Sequence, residues 1–312
     1  MLNEASVMEA ARAGGNTPRA RGFLPELVLI ITAALWGGTF LVVQLAEQHT
    51  GTLFFVAARF LTAGGLTCLL FARALPGLNR AECVAGGVIG VVMFGAYTLQ
   101  TWGLRSISSS QSAFITGMYV PVVPFVQWLF SKRAPRLAGW LGIGCAFCGL
   151  VLLTGWRQIV SLQLGAGEVG TLIAAALIAL EIVLVGYFAR PGLDSFRMTV
   201  VQLLVVGVLA LCAMPLAHEA VPVFSWGWAL PVLALGGLSA VIYTAMNWAQ
   251  QTVSPTRATV IYAGEPVWAG LVGWLAGEAL PMRALVGAGL VVLGVLVSEV
   301  RLGKKNAGDN AG

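Results

Sequence analysis

Charged side chains are scarce in this chain. Only 10% of its 312 residues are Asp, Glu, Lys or Arg, against about 25% in soluble domains, so there is too little polar surface to clothe a water-soluble fold. Histidine is nearly missing, since His49 and His218 are the only two and both fall in short connections. No H-x-x-x-H and no paired aspartates occur inside the apolar segments, which argues against an intramembrane metal or nucleophilic centre. The five cysteines, at 68, 83, 145, 148 and 212, lie in or at the edge of apolar runs and suggest no disulfide framework. Cys145 and Cys148 form a C-x-x-C without the further ligands that zinc requires, and read as small packing residues. No G-x-x-x-x-G-K-[ST] occurs either, so no nucleotide-driven step is built into the chain. No cofactor is expected.

Apolar residues are abundant, at 58%. They are gathered into runs of about 20 residues, the length of a helix crossing a hydrocarbon core of about 30 Å, and these runs lack the alternation of barrel strands. The pattern predicts an all-α integral membrane protein with ten transmembrane helices, at 27–46, 53–72, 82–103, 108–130, 137–154, 168–189, 195–216, 228–250, 256–276 and 282–300. Residues 1–25 read as a disordered cytoplasmic tail without the apolar core of a cleaved signal, and 301–312 as a second cytoplasmic tail. The net charge of +5 could suggest nucleic acid, but its distribution points to a lipid bilayer instead. Of the 18 lysines and arginines, fourteen fall on the side of the N-terminus. Arg105, Arg157 and Arg283 fall on the other, and Arg59 lies within a span. This positive-inside bias places both termini in the cytoplasm and the chain in the cell (inner) membrane.

Tryptophans mark the span ends at 102, 128, 140, 156, 226, 228, 248 and 274, as amphipathic rings do at a membrane interface. Trp36 and Trp268 lie mid-span, as core residues or cavity walls. Displacing the chain against itself by 145 residues brings Ala113 onto Ala258, Pro121 onto Pro266, and Gly142, Gly144 and Gly149 onto Gly287, Gly289 and Gly294. A displacement of 146 pairs Gly90 with Gly236, Tyr97 with Tyr243, and Trp102 with Trp248. The chain is therefore read as two five-helix units, 27–154 and 168–300. Because five is odd, the second unit enters the membrane from the opposite side, and the repeats are inverted. That arrangement suits alternating access to a site between the halves.

Several motifs then resemble a known family. The A-L-W-G-G-T-F of Ala34 to Phe40, the Arg59-Phe60 pair, the Ala113…Pro121 spacing, the E-P-V at Glu265 with G-E at Glu278, and the following G-A-G-L-V-V-L-G are similar to the EamA-type branch of the drug/metabolite transporter superfamily. The resemblance covers residues 27 to 300. It implies a secondary carrier without ATPase domains, often an exporter of amino acids, related metabolites or drugs.

The residues that could carry the chemistry are few. Arg59 sits about 10 Å inside the second span and could bind a carboxylate with its planar fork, or instead pair structurally or snorkel outward; the repeat brings it onto Gln202. Glu181 and Glu265 sit mid-span in the sixth and ninth helices, where a carboxylate costs roughly 2.5–3.5 kcal/mol to insert and usually faces a cavity or a partner. Both are candidates for proton coupling or for binding an amine. The repeat sets Glu181 opposite Trp36, and Glu265 adjoins a bend expected at Pro266. Glu278 reads as a cap. Tyr97 and Gln100, with Thr101, make a polar stripe on the third helix, as do Tyr243 and Asn247, with Gln250, on the eighth. Thr116 with Tyr119, and Tyr262 with Glu265, extend it to the fourth and ninth. A central aqueous cavity with aromatic walls is expected, although some of these groups will serve helix–helix contacts. The glycine-rich fifth and tenth helices read as a scaffold and as a face for a homodimer.

The expected function is transport of a small metabolite, an amino acid or amino-acid-like compound, with efflux of drugs or cations as an alternative. An intramembrane enzyme is disfavoured by the missing nucleophile and metal ligands.

Overall fold

The computed structural model describes residues 23–107, 109–132, 137–154, 165–265, 267–268 and 282–299. They form α1 (Leu24–Gly37), α2 (Thr39–Glu47), α3 (Thr52–Leu70), α4 (Arg80–Gly103), α5 (Ser109–Thr116), α6 (Tyr119–Ser131), α7 (Leu137–Thr154), α8 (Ala166–Phe188), α9 (Ser195–Ala213), α10 (Trp226–Ala249), α11 (Pro255–Tyr262) and α12 (Met282–Glu299). Among the described residues seven segments are helical, long and apolar enough to cross a membrane, with α1–α2 and α5–α6 each counting as one. The fifth and tenth expected spans appear as the apolar helices α7 and α12. Of the ninth, α11 and a short continuation to Trp268 are described. Its second half, with Glu278 and Trp274, lies outside the described residues.

The helix ends follow from local chemistry. At the start of α4, Asn79 and Glu82 form a reciprocal capping box, with the Glu82 amide donating to Asn79 Oδ1 at 2.9 Å and the Asn79 amide donating to Glu82 Oε2 at 3.0 Å. The second oxygen of Glu82 accepts from the Asp194 amide at 3.0 Å and faces Arg197 at 3.3 Å. Asp194 in turn caps α9 by accepting from Phe196 and Arg197. Arg197 also donates to the carbonyls of Ala74 and Gly77. One small cluster thus ties the end of α3 to the starts of α4 and α9. At the opposite end, Glu219 reaches the start of α3 and accepts from the amides of Leu53 and Phe54 at 3.1 and 2.6 Å, which answers two of the four orphan donors there.

The two halves interlock by reciprocal contacts. A Cβ on Gly90 would meet the carbonyl of Gln202 and Val205, and one on Gly236 would meet the carbonyl of Arg59 and Thr62. Arg59 and Gln202, like Thr62 and Val205, are repeat mates, so exchanging the halves turns one contact into the other. The same holds at α7 and α12. A Cβ on Gly149 would stand 2.6 Å from the Gly287 carbonyl, and one on Gly294 2.6 Å from that of Gly142. These glycines, read from sequence as a scaffold with a dimer face, are used within the chain to bring two backbones together. Gly144 and Gly289 face away, with nothing within 4 Å of a Cβ at either.

Candidate functional site

Among the described residues three spans are interrupted within their length, and the breaks converge. The first span turns at Gly38 between α1 and α2, where the Thr39 hydroxyl donates to the Trp36 carbonyl at 2.9 Å. The fourth turns at Gly117 and Met118 between α5 and α6, and Pro121 then falls in the first turn of α6, where a missing N–H is tolerated. The ninth leaves its helix at Ala263 and Gly264. The bend expected at Pro266 therefore begins before it, and Pro266 itself lies outside the described residues. A break inside a membrane span frees carbonyls and amides, which is tolerated where protein or a water-filled cavity receives them.

A cavity enclosing about 600 Å³ of space, part of it open to the outside, lies among the breaks. Eight of the ten residues singled out from sequence line it: Trp36, Arg59, Tyr97, Gln100, Tyr119, Glu181, Tyr262 and Glu265. Arg59, on α3, is only 4% exposed. Its Nε donates to Ser239 Oγ at 2.9 Å and its guanidinium lies over the rings of Phe60 and Tyr97 at 5.3 and 5.6 Å. Among the described residues no carboxylate lies within the 4 Å of a salt bridge, and its terminal nitrogens have no hydrogen-bond partner. Glu181, 2% exposed on the unbroken α8, and Glu265, just past the break of the ninth span, likewise have no described partner. Trp36 packs edge-on to Tyr262 with ring centres 5.4 Å apart, and Gln100 donates to the Thr116 hydroxyl at 3.0 Å.

The other two predicted residues stand behind this wall. Tyr243 is fully buried and hydrogen-bonds through its hydroxyl to that of Tyr97, its repeat mate. Asn247, 2% exposed, donates to Thr199 Oγ1 at 2.7 Å and to Gln202 Oε1 at 3.0 Å. Both serve contacts between helices, the commoner use of polar groups in a membrane interior. Sequence reading missed Ser239, the group that orients Arg59, because a serine in a membrane helix is a weak signal. Its spacing of four residues before Tyr243, which puts both on one face of α10, was the available clue.

A smaller space of about 340 Å³ adjoins the cavity, lined by Ala113, Val120, Leu150 and Ala263 among others. Phe40, Thr116, Tyr119, Tyr262 and Glu265 line both spaces, while Arg59 and Glu181 line the larger alone. The larger cavity extends to Val43 and Leu104, near the Glu47–Arg105 ion pair of 2.7 Å. Toward the other end, Glu26 pairs with Arg257 at 3.0 Å, Gln127 accepts from the Thr256 amide at 3.1 Å, and Pro255 lies against Gly186.

Comparison with known proteins settles what kind of molecule holds this cavity. Residues 24–155 and again 165–299 match the EamA-like transporter family. The chain belongs to that family. Such a repeated match agrees with the drug/metabolite transporter superfamily and with two related halves. An uncharacterized transporter of Archaeoglobus fulgidus is 27% identical over 92% of this chain and 90% of its own length. The uncharacterized inner membrane transporter YedA of Escherichia coli K12 is 28% identical over 92% and 94%. An uncharacterized transporter of Acidianus ambivalens is 28% identical over 81% and 97%. A solved crystal structure shares the fold with a TM-score of 0.70 at 18% identity, over 88% of this chain and 97% of that one. The EamA-family chain is thus a multi-pass membrane transporter.

Proposed function

We propose that this EamA-family chain is a secondary carrier of ten membrane helices in two inverted five-helix repeats, exporting an amino acid or amino-acid-like zwitterion by alternating access. The observation that carries the reading is a buried arginine with no described carboxylate beside it and two carboxylates without described partners, lining one aromatic cavity. Charges in such a place are costly to leave unanswered, and a ligand bearing both signs answers the arginine and one carboxylate. The reciprocal glycine contacts support a two-fold relation between the halves, and an odd number of spans in each half would make that relation an inversion.

The positive-inside bias assigns the Arg197 and Arg257 end to the cytoplasm, with both termini. On that assignment the cavity, reaching Val43 and Leu104, lies toward the outer end, and the Glu26–Arg257 pair stands at the cytoplasmic end. Two carboxylates against one arginine also support a second reading, efflux of a cationic drug. Counterflow of labelled amino acids and of an organic cation into liposomes holding the purified protein separates the two. Saturable exchange of amino acids alone is expected; exchange of the cation alone would replace the first reading with the second.

A further inference from the structure

The charges lining the two adjoining spaces do not balance for a neutral amino acid, and the imbalance has a direction. We infer that the transported class is a dibasic amino acid, carrying one carboxylate and two amines joined by an alkyl stem. This rests on the reading of the cavity as an amino-acid site.

Among the described residues that line either space, the charged side chains are Arg59, Glu181 and Glu265. With all three ionised the site carries one excess negative charge in surroundings of low dielectric. A zwitterion brings one charge of each sign, so one glutamate has no cation to face and must take up a proton or stay unanswered. A dibasic ligand meets all three. A bare diamine would satisfy both glutamates and leave Arg59 facing no anion, at a site where burial makes that costly.

The placement of the three groups matches such a ligand. Arg59 is held from behind, by Ser239 at its Nε and by the Phe60 and Tyr97 rings beneath the guanidinium, so its terminal nitrogens remain for a carboxylate. Arg59 and Glu181 belong to the larger space only, where an α-carboxylate and α-ammonium sit together. Glu265 lies where that space meets the smaller one, among Phe40, Tyr119 and Tyr262. An alkyl stem crossing this aromatic passage brings a distal ammonium to Glu265, with ring faces adding cation–π attraction. Val120, Leu150 and Ala263 add apolar wall against which the alkyl stem can pack.

The test is counterflow in proteoliposomes preloaded with L-lysine, using labelled lysine and three competitors: ornithine, norleucine, which has the stem without the distal amine, and cadaverine, which has both amines without the carboxylate. Lysine and ornithine are expected to exchange, with norleucine and cadaverine weaker competitors by about tenfold or more, the value of one charge-assisted contact. Glu265→Gln should collapse the preference for lysine over norleucine, and Arg59→Gln the preference for lysine over cadaverine. Thermal shift of the unaltered protein by each compound gives the same ranking without any variant. If norleucine matches lysine, or Glu265→Gln keeps the preference, the dibasic assignment falls while an amino-acid carrier stands. If cadaverine matches lysine, the carboxylate site at Arg59 falls, and with it the zwitterion and dibasic readings, leaving cation efflux. If folded protein exchanges and binds no amino acid at all, the amino-acid reading itself is lost.

Discussion

Arg59 shows how a side chain that is expensive to bury is prepared for use. Its cost in the membrane is reduced by one hydrogen bond and two aromatic faces, none of which neutralises it. The remaining demand is for an anion. Replacing it by glutamine should weaken the apparent affinity for a carboxylate-bearing substrate by about 30-fold to 1,000-fold, the range for removing one partner of a buried charge pair. Arg59→Lys should recover only part of this, since an ammonium lacks the planar fork. Unchanged half-saturation in Arg59→Gln would remove the residue from the site. Tyr97 and Tyr243 present a different case, a hydroxyl pair linking the halves. Removing either hydroxyl alone leaves the other buried and unpaired, a loss of about 1–3 kcal/mol. The double variant with phenylalanine at both positions should lose less than the sum of the singles, and thermal unfolding in detergent reads the coupling. Strict additivity would mean that the two hydroxyls do not interact.

Among the helices, α7 and α12 show why glycine recurs at a fixed spacing. Gly149 and Gly294 each lie against a carbonyl of the opposite helix, so any Cβ there forces the backbones apart. Gly149→Val and Gly294→Val should each destabilise the protein by about 1–3 kcal/mol or prevent folding, as overpacking does. Gly144→Ala and Gly289→Ala, with open space beside them, should instead be neutral or stabilising by up to about 1 kcal/mol, because alanine is the better helix former. A melting temperature lowered equally in all four would refute the distinction. The cap supplied by Glu219 to α3 makes a second prediction. Glu219→Ala leaves the Leu53 and Phe54 amides without their acceptor and should lower stability by about 1 kcal/mol, as lost N-caps do; an unaltered melting curve would show that water replaces the carboxylate at no loss.

For the whole molecule, the position of the cavity along the bundle is the feature that bears on transport. The cavity reaches Val43 at one end, whereas Thr256 at the other is engaged by Gln127 beside the Glu26–Arg257 pair. In a background freed of its native cysteines, Val43→Cys should react with a membrane-impermeant thiol reagent added outside intact cells, and substrate should slow the reaction. Thr256→Cys should stay unmodified under the same conditions. The reverse pattern would overturn the assigned orientation. Substrate-dependent labelling is also what alternating access demands, since a ligand shifts an equilibrium only as far as it binds one state better.

Much of this architecture is written in features that act locally or along the chain. Low charge and runs of about 20 apolar residues dictate membrane helices, because every backbone polar group in lipid must be satisfied within its own segment. The displacement of 145 residues pairs Gly149 with Gly294, and the structure uses both in equivalent contacts. Eight of the ten selected polar and aromatic residues meet at one cavity, because a polar group at mid-depth needs water or a partner wherever the helix is placed. The sequence could not separate Tyr243 and Asn247 from the cavity wall. Whether a side chain faces a void or a neighbour depends on the rotation and crossing of helices distant in sequence, such as the meeting of Asn247 with Thr199 and Gln202. The breaks at Gly38, Gly117–Met118 and Ala263–Gly264, the role of Ser239 behind Arg59, and the lodging of Glu265 between two spaces were likewise settled by packing, since a glycine permits a turn without requiring one and a cavity exists only where several helices fail to fill the same volume.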